Sequence, residues 1–220
     1  MRFAAVLILL AACSPAPPAG GEARLLALGD SYTIGEGVDP ADRWPVLLAR
    51  RLGDEGITVH GPVIVARTGW TVAELEAGID QAAPVGPFDL VTLQIGVNDQ
   101  FRGYGVEGFR GEFGALLERA IGFAGGEPGR VVVLSIPDWG VTPFAAGQDR
   151  GGIAAEIDAF NRVVAEEAAR QGAAFVDVTP ISRRADDDPA LLAGDGLHPS
   201  AAMYALWVEL VLPVALEIVG

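Results

Sequence analysis

Five residues of this chain have the types and spacing that acyl transfer needs. They are Ser31 in "LALGDSYTIGEGV" (26–38), Gly69 in "RTGWT" (67–71), Asn98 in "GVND" (96–99), and Asp195 and His198 in "GDGLHPS" (194–200). A serine hydroxyl is a poor nucleophile at neutral pH and needs a base within hydrogen-bond reach. Histidine suits that role because its ordinary pKa lies near the working pH. Its second ring nitrogen needs a carboxylate that fixes the tautomer and stabilises the imidazolium. Asp195 and His198, three apart in one loop, supply both groups from one short segment. The oxyanion that develops needs preorganised donors, each worth roughly 3 kcal/mol. The amides of Ser31 and Gly69 and the side-chain amide of Asn98 are the candidates, and a glycine at 69 leaves the approach open.

Each residue also has an ordinary reading. A serine at a strand-to-helix turn is often an N-cap, and Gly69 can serve only a tight turn. Asn98-Asp99 reads as a turn dipeptide, and His198 as the end of a loop with Asp195 a solvated neighbour. The elements that must position them decide the matter. Short apolar runs rich in β-branched residues at 23–29, 57–66, 88–96, 130–137 and 173–179 read as strands. Helical patterns at 43–52, 71–80, 108–124 and 153–172 lie between them, with Thr71 and Glu74 as a capping box and Gly172 as a C-terminal cap. This alternation implies an α/β fold, a parallel five-stranded sheet with helices on both faces. Ligands of such sheets bind beyond the carboxyl ends of the strands. Ser31, Gly69 and Asn98 follow the first three strands and Asp195–His198 follow the fifth past a loop, so the whole set falls on one rim. His60 lies inside a strand pattern and reads as structural. The apolar segment 200–220 raises the question of a membrane span, but Glu209, Pro213 and Glu217 favour a helix packed on the sheet.

Composition narrows the function. A chain of 220 residues fits one sizeable domain, here expected over 24–220. A net charge of −14 argues against nucleic acid as a partner and against polybasic attachment to lipid. All basic residues are arginines, with no phosphate-binding lysine and no G-x-G-x-x-G, which disfavours a nucleotide site. Two histidines far apart and one cysteine provide no metal-ligand set, so no metal or other cofactor is expected. Residues 1–12 have one positive charge, an apolar run and small residues at the end, the outline of a secretory signal too short to span a bilayer. "SPAPPAGGEA" (14–23) reads as a Pro/Gly-rich tether.

The blocks "GDSYTIGEG", "RTGWT", "GVND" and "DGLHP" resemble, in order and spacing, those of the SGNH or GDSL-type hydrolases. The resemblance implies a flavodoxin-like three-layer α/β/α sandwich and a metal-free serine esterase or lipase acting on a small-molecule ester. It implies Ser31 as nucleophile, His198 as general base then acid, Asp195 as its partner, and Ser31, Gly69 and Asn98 as the oxyanion hole. Tyr32 stands where the commonest first block has leucine, which bears on substrate fit more than on catalysis. The G-x-S-x-G elbow of other esterases is absent. Leu10-Ala11-Ala12-Cys13 resembles the lipobox of bacterial lipoproteins, which implies export and a membrane anchor on an acylated Cys13. Ser14 beside it resembles the signal for outer-membrane delivery in Gram-negative bacteria.

Two substrate classes compete, lipid-like acyl esters or thioesters and acetyl groups on carbohydrate. Trp70, Phe101, Tyr104 and Trp139 fall on the rim, where they line an acyl groove, stack on a sugar or only pack between loops. The stretch 135–144 has the length of a specificity loop. Acyl esters are slightly preferred, because 96–106 supplies no bank of sugar-binding polar groups. A non-catalytic ligand-binding lipoprotein on the same fold is the alternative. The full Ser, Asn, Asp and His set, which binding alone does not require, speaks against it.

Overall fold

The structure is a computed structural model that describes Glu22–Gly220. The signal-peptide and lipobox readings, Cys13 included, lie outside the described residues. In chain order the elements are β1 (Glu22–Ala23), β2 (Leu25–Gly29), α1 (Ser31–Ile34), α2 (Trp44–Asp54), β3 (Thr58–Val59), β4 (Val63–Ala66), α3 (Val72–Ala82) and β5 (Leu90–Gln94). There follow α4 (Val97–Phe101), α5 (Val106–Phe123), β6 (Val131–Leu134), α6 (Arg150–Gln171), β7 (Ala174–Val176), α7 (Thr179–Arg183) and α8 (Ala201–Val219).

The main sheet is parallel throughout, in the order β4-β2-β5-β6-β7. Counting only its own strands this is 2-1-3-4-5, the flavodoxin-like order. Register runs Leu26 to Val63, Leu25 to Leu90, Val91 to Val131 and Val132 to Ala174. Every residue of β2, β5 and β6 is buried, because helices cover both faces. On one face α2 and α8 pack together; on the other lie α3, α5 and α6. This is the expected α/β/α sandwich.

Helix α8 shows why an apolar segment need not be a span. Its 19 residues have a mean hydropathy of 1.8, long and apolar enough to cross a membrane. Yet Met203, Tyr204, Trp207, Val208, Val211, Leu212 and Ala215 recur three and four apart, and this stripe is buried. The stripe meets Trp44, Leu48 and Leu52 of α2 and the sheet; each such leucine contributes roughly 2 kcal/mol by leaving water. The capping box of Thr71 and Glu74 and the left-handed Gly172 at the end of α6 are present as expected.

Two sequence expectations need correction. The run 57–66 is not one strand: it divides into β3 and β4 at His60-Gly61-Pro62. Gly61 there takes φ +65°, and Pro62 has no N–H to give a ladder. His60 is therefore an exposed turn residue, 3.4 Å from Glu22, rather than part of a strand. Glu22–Ala23, read as the end of the tether, pair as β1 with β3 in a small parallel ribbon.

Candidate active site

Strand β2 ends at Gly29, and the chain turns at once. A Cβ on Gly29 would stand 2.2 Å from Thr33 Oγ1 and 2.5 Å from the Gln94 carbonyl oxygen, so only glycine lets α1 fold back this tightly. Asp30 is the N-cap, its Oδ1 accepting from the Tyr32 amide at 3.0 Å. Ser31 opens α1, where a backbone N–H has no partner within the helix and is free for a ligand. The turn thus presents the Ser31 hydroxyl and amide together at the carboxyl end of the sheet.

His198 is buried, and its Nδ1 lies 2.6 Å from Asp195 Oδ2. Asp195 Oδ1 accepts from the amides of Leu197 and His198, both at 3.0 Å. Partial burial opposes ionisation of Asp195, but the bonds from the His198 ring and the two amides outweigh it and hold the carboxyl below its usual range. The Nδ1 contact leaves Nε2 as the nitrogen able to accept a proton. The Tyr32 ring stands edge-on between His198 and Trp207, at 5.8 and 6.3 Å between ring centres. Tyr32 therefore buttresses the imidazole from inside the fold, which explains an aromatic residue at that position.

The third part is a braced pair of loops. Asn98 Nδ2 donates to the Trp70 carbonyl at 2.8 Å, which fixes the amide orientation and leaves its second N–H available. Asp99 accepts from the Val72 amide at 3.2 and 3.3 Å, and Arg102 Nη2 donates to the Gly69 carbonyl at 2.7 Å and pairs with Glu74 at 3.1 Å. These bonds tie the 67–71 loop to α4. Gly69 takes φ +86°, and a Cβ there would meet nothing within 4 Å. Its glycine thus serves the backbone conformation and leaves the cleft open.

Ser31, Gly69, Asn98 and His198 all line one cleft of about 150 Å³, with Tyr32, Thr68, Val97, Leu197 and three aromatic residues. Asp195 sits behind His198. The structure therefore brings together every site residue expected of the folded domain. The rim aromatics divide between those alternatives. Phe101 and Trp139 line the cleft with Phe144, their ring centres 5.4 to 6.1 Å apart. Trp70 instead packs over Gly78, where a Cβ would strike its ring at 2.1 Å. Tyr104 is half-exposed and does not line the cleft. Trp139, from the 135–144 loop, is held from behind: its Nε1 donates to Gln100 Oε1 at 2.8 Å, and Gln100 Nε2 donates to Glu156 at 2.7 Å.

Sequence reasoning passed over two buried acids. Asp30, beside the nucleophile, is 1 % exposed; burial, reinforced by the charge of Asp99, pushes its pKa up to about 8 against the pull of the Tyr32 amide. Burial likewise raises Asp99 to about 6 despite the Val72 amide. The only sequence signal was their place directly beside Ser31 and Asn98.

The chain is similar to known proteins. The model of the GDSL-like lipase/acylhydrolase family matches residues 27–206. Esterase TesA of Pseudomonas aeruginosa is 26% identical over 195 residues, covering 86% of each chain. An arylesterase of Vibrio mimicus is 34% identical over 84 residues, 37% of this chain and 40% of the other. A crystal structure of TesA superposes with a TM-score of 0.67 at 24% identity, over 89% of this chain and 99% of that one.

Proposed function

The chain belongs to the GDSL-like lipase/acylhydrolase family and is a carboxylic ester hydrolase; on that premise we propose that it works through an acyl-enzyme on Ser31. His198 Nε2 takes the Ser31 proton as Oγ attacks the ester carbonyl. The tetrahedral oxyanion is met by the Ser31 and Gly69 amides and the free N–H of Asn98. His198 then gives the proton to the departing alkoxide, and the same groups activate water against the acyl-enzyme. Asp195 keeps the Nδ1 proton in place and stabilises the imidazolium. The observation that carries this reading is the 2.6 Å His198–Asp195 contact on the wall of the cleft that Ser31 and Asn98 share.

The substrate is an ester with an apolar acyl or aryl group rather than a sugar acetate. Phe101, Trp139 and Phe144 give the cleft one continuous aromatic wall, and about 150 Å³ is the size that encloses a benzene-sized group. Longer chains would run out over the half-exposed Phe101 and Phe144. In the same proposal the chain is exported and anchored to the cell envelope through acylated Cys13.

Initial rates on nitrophenyl esters of two to sixteen carbons, for the wild type beside Ser31→Ala, test the mechanism. Turnover lost in Ser31→Ala, with an initial burst of nitrophenol in the wild type, is expected. Equal rates in the two proteins remove Ser31 as nucleophile and bring forward the non-catalytic ligand-binding reading.

A further inference from the structure

A second cavity, of about 10 Å³, adjoins the cleft. The two have Tyr32, Trp139 and Leu197 in common, so these residues form the wall between them. Beyond the wall the second cavity is lined by Leu192, Pro199 and Met203. Its polar neighbours already have partners in the protein. Asp138 Oδ2 accepts from Arg183 at 2.9 Å, and the hydroxyls of Thr142 and Ser182 donate to the Trp139 and Thr179 carbonyls, each at 2.7 Å. The volume is that of a single water, too small for an acyl chain while the wall stands. Tyr32 packs on His198, and Leu197 adjoins it in the chain. Trp139 is the part of the wall that the catalytic imidazole does not fix.

We propose that Trp139 is a partition that sets acyl-chain length by closing the cleft against the second cavity, with Gln100 as the positioning residue that keeps it closed. The proposal rests on the reading of the cleft as the acyl site of a Ser31 acyl-enzyme. The backbone at Trp139 is fixed independently of its ring: the Asp138 amide donates to Ser182 Oγ and the Gly140 amide to Asp138 Oδ1, both at 2.9 Å. The tilt of the ring depends on its indole N–H, which can only donate and needs a partner in a side chain this buried. Gln100 Oε1 is that partner, at 2.8 Å. The Gln100 amide is held in this sense because its Nε2 donates to Glu156 at 2.7 Å, and a carboxylate only accepts. A swing of the indole would strand a donor and an acceptor in the interior, where each unmade bond is costly. With the partition shut, a long acyl chain takes the outward path over Phe144. With it open, the chain passes inward between Tyr32 and Leu197 toward Leu192 and Met203.

The test measures kcat/KM on nitrophenyl butyrate and octanoate and takes the octanoate-to-butyrate ratio within each protein. Trp139→Ala merges the two spaces. Each methylene newly buried is worth about fourfold, so two that enter the merged space raise the ratio about fifteenfold. Gln100→Leu, which cannot accept the indole N–H, should raise the ratio about fourfold, the worth of one methylene. In the Trp139→Ala background the same change should leave the ratio where it is, because there is no ring left to hold. Should Trp139→Ala fail to fold, Trp139→Leu takes its place, with a smaller apolar side chain that still vacates the ring's space. An unchanged or lower ratio in the Trp139 variant overturns the partition. A Gln100→Leu effect that is absent in the native chain, or that persists without the ring, overturns the role of Gln100. Failure of the underlying reading shows separately: turnover of both esters that persists in Ser31→Ala removes the acyl-enzyme, and the proposal with it.

Discussion

Asp30→Asn should make this enzyme more stable in mild alkali. In the folded chain the Asp30 carboxyl is buried, and burial raises its pKa from 3.8 to about 8. The folded state therefore keeps a proton that the unfolded chain releases above pH 4. A state that binds more protons is favoured by acid, so stability is full below pH 4 and falls as pH rises through 8. Between pH 4 and 6 Asp99, raised to about 6, adds a fall of the same sign. Between pH 6 and 8 Asp30 dominates, and linkage over those two units gives a loss of about 2 kcal/mol. Asparagine is isosteric with the neutral acid and, as an N-cap, still accepts from the Tyr32 amide, so it keeps the turn and removes the titration. Urea denaturation at pH 6, 7 and 8 should show the wild type losing about 2 kcal/mol more than Asp30→Asn, a difference of about 4–8 °C in melting temperature. Parallel losses in both proteins, or a wild type that gains stability toward pH 8, would refute a neutral buried Asp30.

The oxyanion site and the aromatic wall give two further expectations. Asn98→Ala should lower kcat by about a hundredfold or more with KM little changed, since its free N–H meets charge that exists only in the transition state; steady-state kinetics showing a rise in KM alone would make Asn98 a ground-state contact. Phe144→Ala, at the half-exposed lip of the cleft, should cut kcat/KM for octanoyl esters about tenfold while changing acetyl esters little, as expected for lost apolar contact; an equal loss on both chain lengths would place Phe144 outside the acyl path.

Much of this protein was legible before any coordinates. Apolar runs and helical periods set the order of strands and helices, and local chemistry marked the Thr71–Glu74 capping box and the Gly172 end of α6. The functional set was legible for a topological reason. In a parallel sheet every strand delivers its following loop to the same rim, so Ser31, Gly69, Asn98 and His198 converge although 167 positions separate the first from the last. What the sequence alone could not decide depends on neighbours distant in the chain. Trp70 and Phe101 look alike as rim aromatics, yet one packs over Gly78 and the other lines the cleft. Arg102 is an ordinary loop arginine until the fold sets it on the Gly69 carbonyl. Asp30 reads as an acid of normal strength until α1 and the sheet exclude water from it. Desolvation and bracing are properties of packed layers, and they come into being only when the layers close.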